Sequence, residues 1–525
     1  MVRRDALVLV ALSAALACER GGAPKPGPVP SASIAASPSA AGSADLVSAA
    51  SVETWDAGPS VVGESSVDGT ALVKRHVERL KVDTSPVTVL RGESALELGQ
   101  AICNAVMPWR PKSTPILLKP NLCGFDSIKD PEKSKGDDGV VGRTTDVEFT
   151  RGVVRCLKQR GHAKITIAEG CGISHAHWLR VTEVTGYAAM AREEGVPLVA
   201  LDDDGVYDVE GEKPGLPLRI SGIGNGRIPN LLMPKILAEH LDHGLFVSLP
   251  KIKAHRYSVT SMAIKGMQGT VMLSDTRPAY KQKYRMHREL NEELKAKKAA
   301  RTDAQAAGSA APPAADPAEA RKTYVGSLIA FAERMVDVLE LETPDVVLAD
   351  GAPAMGGDGF QVLYPSAEKL AVGGTNPVLV DRVGAEVLGL WNNARLANEL
   401  GGHKTSPLVE IAAKRFGLDL SATKVVGNGA ELLGKPRPVH YRSMGGFAIH
   451  SDATEPWSPV GRAAPKAATP LVTAPALGSD TVEIDGRGDD AIWDRAQAAS
   501  WDTDWSGAAT GTRTKARFAW SPKAL

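Results

Sequence analysis

None of the five cysteines in this 525-residue chain lies in a C-x-x-C pair, so neither an iron–sulfur cluster nor a zinc ribbon is expected. Charge of one sign is not in excess either: 61 basic residues face 61 acidic ones. The balance excludes an overall basic nucleic-acid binder and an acidic solvating chain, and any positive patch must be local. There is no Walker motif and no G-x-G-x-x-G behind a strand-like run. The glycine cluster GIGNG at 222–226 reads as a turn, so no motif indicates a nucleotide.

The apolar run Ala6–Ala17 is shorter than the roughly 20 residues that span a bilayer. With Arg3 and Arg4 before it, it reads as an export signal. Ala15-Leu16-Ala17-Cys18 resembles a lipobox, with Cys18 as the lipidated first residue of the mature chain. Ordinary cleavage after Ala17 is the other reading of the same small-x-small site. The lipobox is preferred because a Pro/Ala/Ser/Gly-rich stretch follows that cannot bury a core. The expected organisation is a signal over 1–18, a tether over 19–84, a main domain over 85–450, a linker over 451–480 and a β-rich segment over 481–525. A low-complexity insertion interrupts the main domain at 296–320. The remaining cysteines, Cys103, Cys123, Cys156 and Cys171, are either isolated thiols or, in an oxidising compartment, disulfides whose pairing the sequence leaves open.

Within 85–450, runs such as PVTVL, PILLKPN, AKITIAEG, LFVSLPK, DVVLADG and KLAVGG alternate with helical patterns such as DVEFTRGVVRCLKQRG and LRVTEVTGYAAMAREEG (179–195). This alternation predicts an α/β fold with a largely parallel sheet covered by helices, followed by an incomplete β-rich C-terminal segment. Ligands of open parallel sheets bind beyond the carboxyl ends of the strands, and here those ends are polar. Lys119 and Asn121, Glu169, Lys251, Lys253 and His255, Asp350, and Thr375 with Asn376 each follow a strand-like run. Ser258 or Thr260 could cap a short helix carrying Lys265, and Gly266 and Gly269 would let backbone approach a ligand.

Lysines, glycines and helix amides together favour a small anionic ligand. Lys253, His255, Lys265, Glu169 and Asp350 are the catalytic candidates, and Lys119, Asn121, Lys251, Thr260 and Gly269 the ligand-binding ones. His255 and Asp350, with His287 and Asp358 nearby, could take a divalent metal, although the spacing is no recognised metal signature.

Several motifs, in order, carry a resemblance. KPNL (119–122), GRTTD (142–146), TIAEG (166–170), PKIKAH (250–255), the stretch 260–269, ADGAPAMGGDG (349–359) and GGTNPVLVDRVGAEVLG (373–389) are similar to the bacterial and archaeal domain of unknown function family 362. Lys265-Gly266 stands where that family commonly has Lys-Asn. The resemblance implies kinship of fold without assigning a reaction. The stretch TVEIDGRGDDAIWDRAQAASWDTDW, through Asp485, Gly486, Asp489 or Asp490, and Trp493, resembles the start of carbohydrate-binding modules of family 9 and implies a glycan partner. About 45 residues are few for such a sandwich, so the segment is expected to be part of a larger module, poorly ordered on its own.

Two functions compete at this point. One is an exported, envelope-located enzyme whose crevice holds an anionic substrate. The other is a non-catalytic surface lipoprotein that binds a small anion and glycan. Both place the chain in the cell envelope, on the membrane through a lipid and away from nucleic acid. Membrane-extracted protein should show, in its intact mass, a chain beginning at Cys18 with added lipid; a soluble chain without that mass would refute the anchor.

Overall fold

The computed structural model describes residues 67–122, 140–170, 175–201, 217–221, 227–228, 230–271, 286–287, 316–451, 474–482, 490–503 and 509–521. The signal, Cys18, residues 452–473 of the linker, most of the 296–320 insertion, and Cys123, Cys171, Asp485 and Gly486 lie outside them. The chain divides into two units, Met1–Ser51 and Val52–Leu525, the first wholly outside the described residues.

Within the second unit the order begins with helix α1 (Gly69–Val82), strand β1 (Val87–Arg91), α2 (Ala95–Val106), β2 (Ile116–Pro120), α3 (Val147–Gln159), β3 (Ile165–Glu169), α4 (His175–Val184), α5 (Tyr187–Glu194) and β4 (Leu198–Ala200). A hairpin of β5 (Pro217–Ser221) and β6 (Asn230–Pro234) leads to α6 (Lys235–His243), β7 (Leu245–Leu249), β8 (Lys251–His255) and β9 (Val259–Ser261). The one-turn helix α7 (Ala263–Gly266) and a 3-10 turn, Met267–Thr270, come next. Then follow α8 (Pro317–Leu341), β10 (Val346–Gly357), β11 (Leu363–Pro365), β12 (Leu370–Gly374), α9 (Pro377–Val387), α10 (Ala394–Glu399), α11 (Pro407–Phe416), β13 (Val425–Val426), β14 (His440–Arg442) and β15 (Ala448–His450).

The main sheet runs β13-β1-β12-β10-β7-β2-β3-β4. All neighbours along it are parallel except those of β12, which is antiparallel to both β1 and β10. This is the expected α/β class. Successive side chains point to opposite faces, and both faces are covered. Ile116, Leu118, Leu245 and Val247 pack with α2, α3 and α5, while Leu117 and Phe246 pack with α1, α6, α8 and α11.

Four expectations are corrected. First, the range taken as tether contains α1, capped by the Asp68 carboxylate and burying Leu72, His76 and Leu80 on one face. Second, the single helix expected over 179–195 is two, broken at Gly186, whose φ of +81° favours glycine. Third, Lys251–His255 is not a loop after β7 but a buried strand, paired with β10 and β9. Fourth, because β12 runs backwards, Thr375 and Asn376 leave the sheet at the opposite edge from the other strand ends. There Asn376 caps α9 and donates to the carbonyls of Leu80 and Asp83.

Helices α2 and α3 approach unusually closely. A Cβ on Gly99 would lie 2.0 Å from the Phe149 carbonyl oxygen, and one on Gly152 would lie 2.1 Å from that of Leu96. One turn further along each helix, Cys103 and Cys156 form a disulfide across 53 residues of chain. A loop of that length is worth about 4 kcal/mol in the chain-entropy account.

In the C-terminal region the one-turn helix α12 (Ile492–Arg495) precedes β16 (Ala499–Thr503) and β17 (Ala509–Ala516), which pair as an antiparallel two-stranded sheet. Among the described residues no helix is long and apolar enough to cross a membrane.

The glycine contact sets the α2–α3 distance that the disulfide requires. Gly99→Ala or Gly152→Ala should cost about 1–3 kcal/mol or more in denaturant unfolding and leave free thiols detectable by alkylation and mass spectrometry. A fully oxidised, wild-type-stable Gly99→Ala variant would contradict this packing.

Candidate functional site

Strand β8 builds the site by simple alternation. In Lys251-Ile252-Lys253-Ala254-His255 the odd positions share one face, and Ile252 and Ala254 enter the apolar layer beneath. Each buried lysine has a defined partner. Lys251 Nζ lies 2.9 Å from Asp350 Oδ2, with both side chains all but inaccessible. The same carboxylate also accepts the Asp146 and Ala352 amides at 2.8 Å each. Lys253 donates to Asn121 Oδ1 at 3.0 Å and to the Arg143 carbonyl. On the neighbouring strands Lys119 Nζ lies 2.8 Å from Glu169 Oε2, again fully buried. Removing one member of such a pair strands the other charge and typically costs about 3–5 kcal/mol.

The stretch 263–270 closes over these pairs. Its first amides, Ala263 and Ile264, donate to the two oxygens of Asp381 at 2.8 and 3.0 Å. The cap expected from Ser258 or Thr260 therefore comes from a distant helix. Ser258 turns its hydroxyl to the Thr260 carbonyl, and Thr260 lies in β9 opposite Ala254. Burial lifts the Asp381 carboxyl to about 7 despite these two amides. Gly269 is required by contact: a Cβ there would lie 1.9 Å from Glu169 Oε1 and 2.7 Å from Lys119 Nζ.

Lys265 Nζ donates to Gln268 Oε1 at 3.2 Å, and the Gln268 amide nitrogen lies 2.9 Å from His287 Nδ1. His287 stacks on Phe331, and its Nε2 is buried without a hydrogen-bond partner. His255 sits edge-on to Phe360 at 5.0 Å and accepts the Tyr257 amide at Nδ1, 3.1 Å away. Burial, reinforced by Lys265, holds both imidazoles well below their ordinary pKa, hence neutral. The Arg256 guanidinium lies over the Phe360 and Tyr257 rings at 4.8 and 5.2 Å, and its Nε is buried without a partner.

Of the residues expected from sequence, Lys119, Glu169 and Gly269 meet, Lys251 meets Asp350, and Lys253 meets Asn121. His255 meets Tyr257 and Phe360 instead, and Lys265 meets Gln268. Asp350 spends both oxygens on three donors. Asp358 organises its own loop by accepting the amides of Phe360, Gln361 and Val362. Among the described residues no group of three or more His, Cys, Asp or Glu side chains could hold a metal ion. Arg256, Gln268, Asp381 and Glu342 escaped the sequence reading. Arg256 alone carried a signal, as the next residue in the run of cations.

Fold and site together define an α/β protein with ion pairs and hydrogen-bond donors buried at the carboxyl edge of a mostly parallel sheet. A family model described as "Domain of unknown function (DUF362)" matches residues 116–386, just over half of the chain, and the chain belongs to that family. No curated protein and no solved structure matches it.

Glu342 lies under the same stretch. The Thr270 hydroxyl contacts both the Met267 carbonyl and Glu342 Oε2. The single Thr270 hydroxyl proton is shared between these two acceptors, so it offsets the burial of the carboxylate only in part. Burial pushes the Glu342 carboxyl from 4.5 up to about 8. The native protein then keeps a proton that the unfolded chain releases, so stability is fully present below about pH 4.5, declines as pH rises toward 8 and levels off above it. Glu342→Gln cannot ionise and should abolish this decline, gaining on wild type by on the order of a few kcal/mol above pH 8. Parallel stability–pH curves for the two proteins would contradict a protonated Glu342.

Proposed function

We propose that this protein is exported and envelope-anchored, and that its α/β domain binds a small anionic molecule at the carboxyl edge of the sheet, beside the turn after β8. One observation carries the reading. Among the described residues the Arg256 guanidinium has no carboxylate within ion-pair distance; its recorded contacts are two aromatic rings, and its Nε is buried without an acceptor. A cation placed this way in a half-buried aromatic slot is matched by an anion that brings its own acceptors.

Glu169 and Asp350, the acid/base candidates, are each held by a lysine. That arrangement supports binding over proton transfer by these two groups, and the reaction stays unassigned. Export is supported by the N-terminal charged and apolar run and by the Cys103–Cys156 disulfide, a bond that persists in oxidising compartments. A glycan partner for the C-terminal segment rests on its sequence resemblance alone.

Titration calorimetry of the full chain with inorganic phosphate and with succinate should show saturable binding of at least one, weakening as ionic strength rises. Arg256→Gln should lose it by tenfold or more, the worth of about one charge-assisted hydrogen bond, and Arg256→Lys should fall between. Absence of binding to either anion, or an Arg256→Gln variant indistinguishable from wild type, would overturn the reading.

A further inference from the structure

Resting on that anion-binding reading, we infer that His255 and His287 are a matched pair of neutral hydrogen-bond donors, each locked in the Nε2–H tautomer, that serve with Arg256 to receive an oxyanion, either carboxylate or phosphate.

The tautomers follow from donor and acceptor logic. A lysine ammonium can only donate, so the atom of Gln268 that faces Lys265 is its oxygen. The other end of that amide is then the NH₂ group, 2.9 Å from His287 Nδ1. It can only donate, so Nδ1 accepts and the ring proton resides on Nε2. His255 reaches the same state by another route: its Nδ1 accepts a backbone amide, that of Tyr257, at 3.1 Å. Neither ring can become an imidazolium without breaking the bond that orients it, and the depressed pKa values of both agree.

The free ends of the rings point to a ligand. His287 Nε2 is buried and has no acceptor, and a buried N–H left unpaired is costly. Among the described residues His255 Nε2 has no hydrogen-bond partner either, its recorded bond being at Nδ1. The two imidazoles flank one ring, Tyr257, at 5.6 and 5.2 Å between centroids. Arg256 lies over the same ring, with a buried Nε that also lacks an acceptor. Three donors around one aromatic ring, with no acceptor supplied to them by the described residues, call for a ligand rich in oxygen lone pairs. A cation or a metal ion is the wrong partner, because each of these nitrogens presents a hydrogen.

The decisive measurement is nitrogen-15 NMR of histidine-labelled full-length protein, which reads tautomers directly. His255 and His287 should both be neutral with the proton on Nε2 near pH 7, and both Nε2–H signals should move on saturation with inorganic phosphate or succinate; whichever anion moves them identifies the oxyanion. Gln268→Glu replaces the donating amide by an acceptor, so it should shift the His287 proton to Nδ1 and weaken anion binding tenfold or more. His287→Gln and His255→Gln, which retain a donor near Nε2, should stay within about threefold of wild type. His287→Phe and His255→Phe should lose tenfold or more.

A proton found on Nδ1 of either ring, or Nε2 signals indifferent to a bound anion, overturns the inference. If wild type binds the anion and Arg256→Gln loses it while both phenylalanine variants bind normally, the donor pair is refuted and the anion reading stands. If wild type binds neither anion, the anion reading itself fails and the inference with it.

Discussion

Lys119, Lys251 and Lys253 end in the protein interior, and the rest of the site is arranged around that constraint. An ammonium taken out of water costs several kcal/mol unless a partner and further hydrogen bonds replace its hydration. Glu169 answers Lys119 from the adjacent parallel strand, and Asp350 answers Lys251 across the β8–β10 pairing. The carboxylates are themselves satisfied, Asp350 by two backbone amides and Glu169 by the Gly170 amide. This satisfaction fixes the start of α3, since Asp146 gives its amide to Asp350 while its side chain accepts the Glu148 amide. Strand order, helix start and ion pairing are thus one arrangement.

The stretch 263–270 transmits that arrangement outward. Asp381 holds its first amides, Gly269 rests on the Lys119–Glu169 pair, and Thr270 reaches Glu342. Lys265 and Gln268 lie between these fixed points, so the amide that orients His287 has little freedom to turn. The absence of a side chain at Gly269 is what lets the turn sit so low.

Much of this was legible in the sequence, for identifiable reasons. Buried parallel strands read as continuous Val/Ile/Leu runs, and their polar ends single out Lys119, Glu169, Lys251, Lys253 and Asp350. The Lys-x-Lys-x-His alternation was also present, but reading it as a strand required accepting three buried polar side chains in a row on one face, which propensity argues against. The direction of β12 was not legible, because a strand's own residues are the same in either orientation. Nor were the Asp381 cap, 117 residues from Ile264, or the cysteine pairing, which depend on which helices become neighbours.

Two charge regimes therefore meet at this sheet edge. Deep in the sheet, Lys119 and Lys251 are matched by carboxylates at 2.8 and 2.9 Å, and a further anion there would have to break an existing bond. Around Tyr257 the balance differs: Arg256 has aromatic faces, and two histidines present N–H groups. Keeping those imidazoles uncharged avoids adding like charges beside Arg256 and Lys265, while still supplying directional donors. In a low-dielectric pocket such donors are strong only when an acceptor is present. The deep pairs thus provide rigidity, and the ring of donors around Tyr257 leaves a deficit of acceptors that a bound oxyanion would fill.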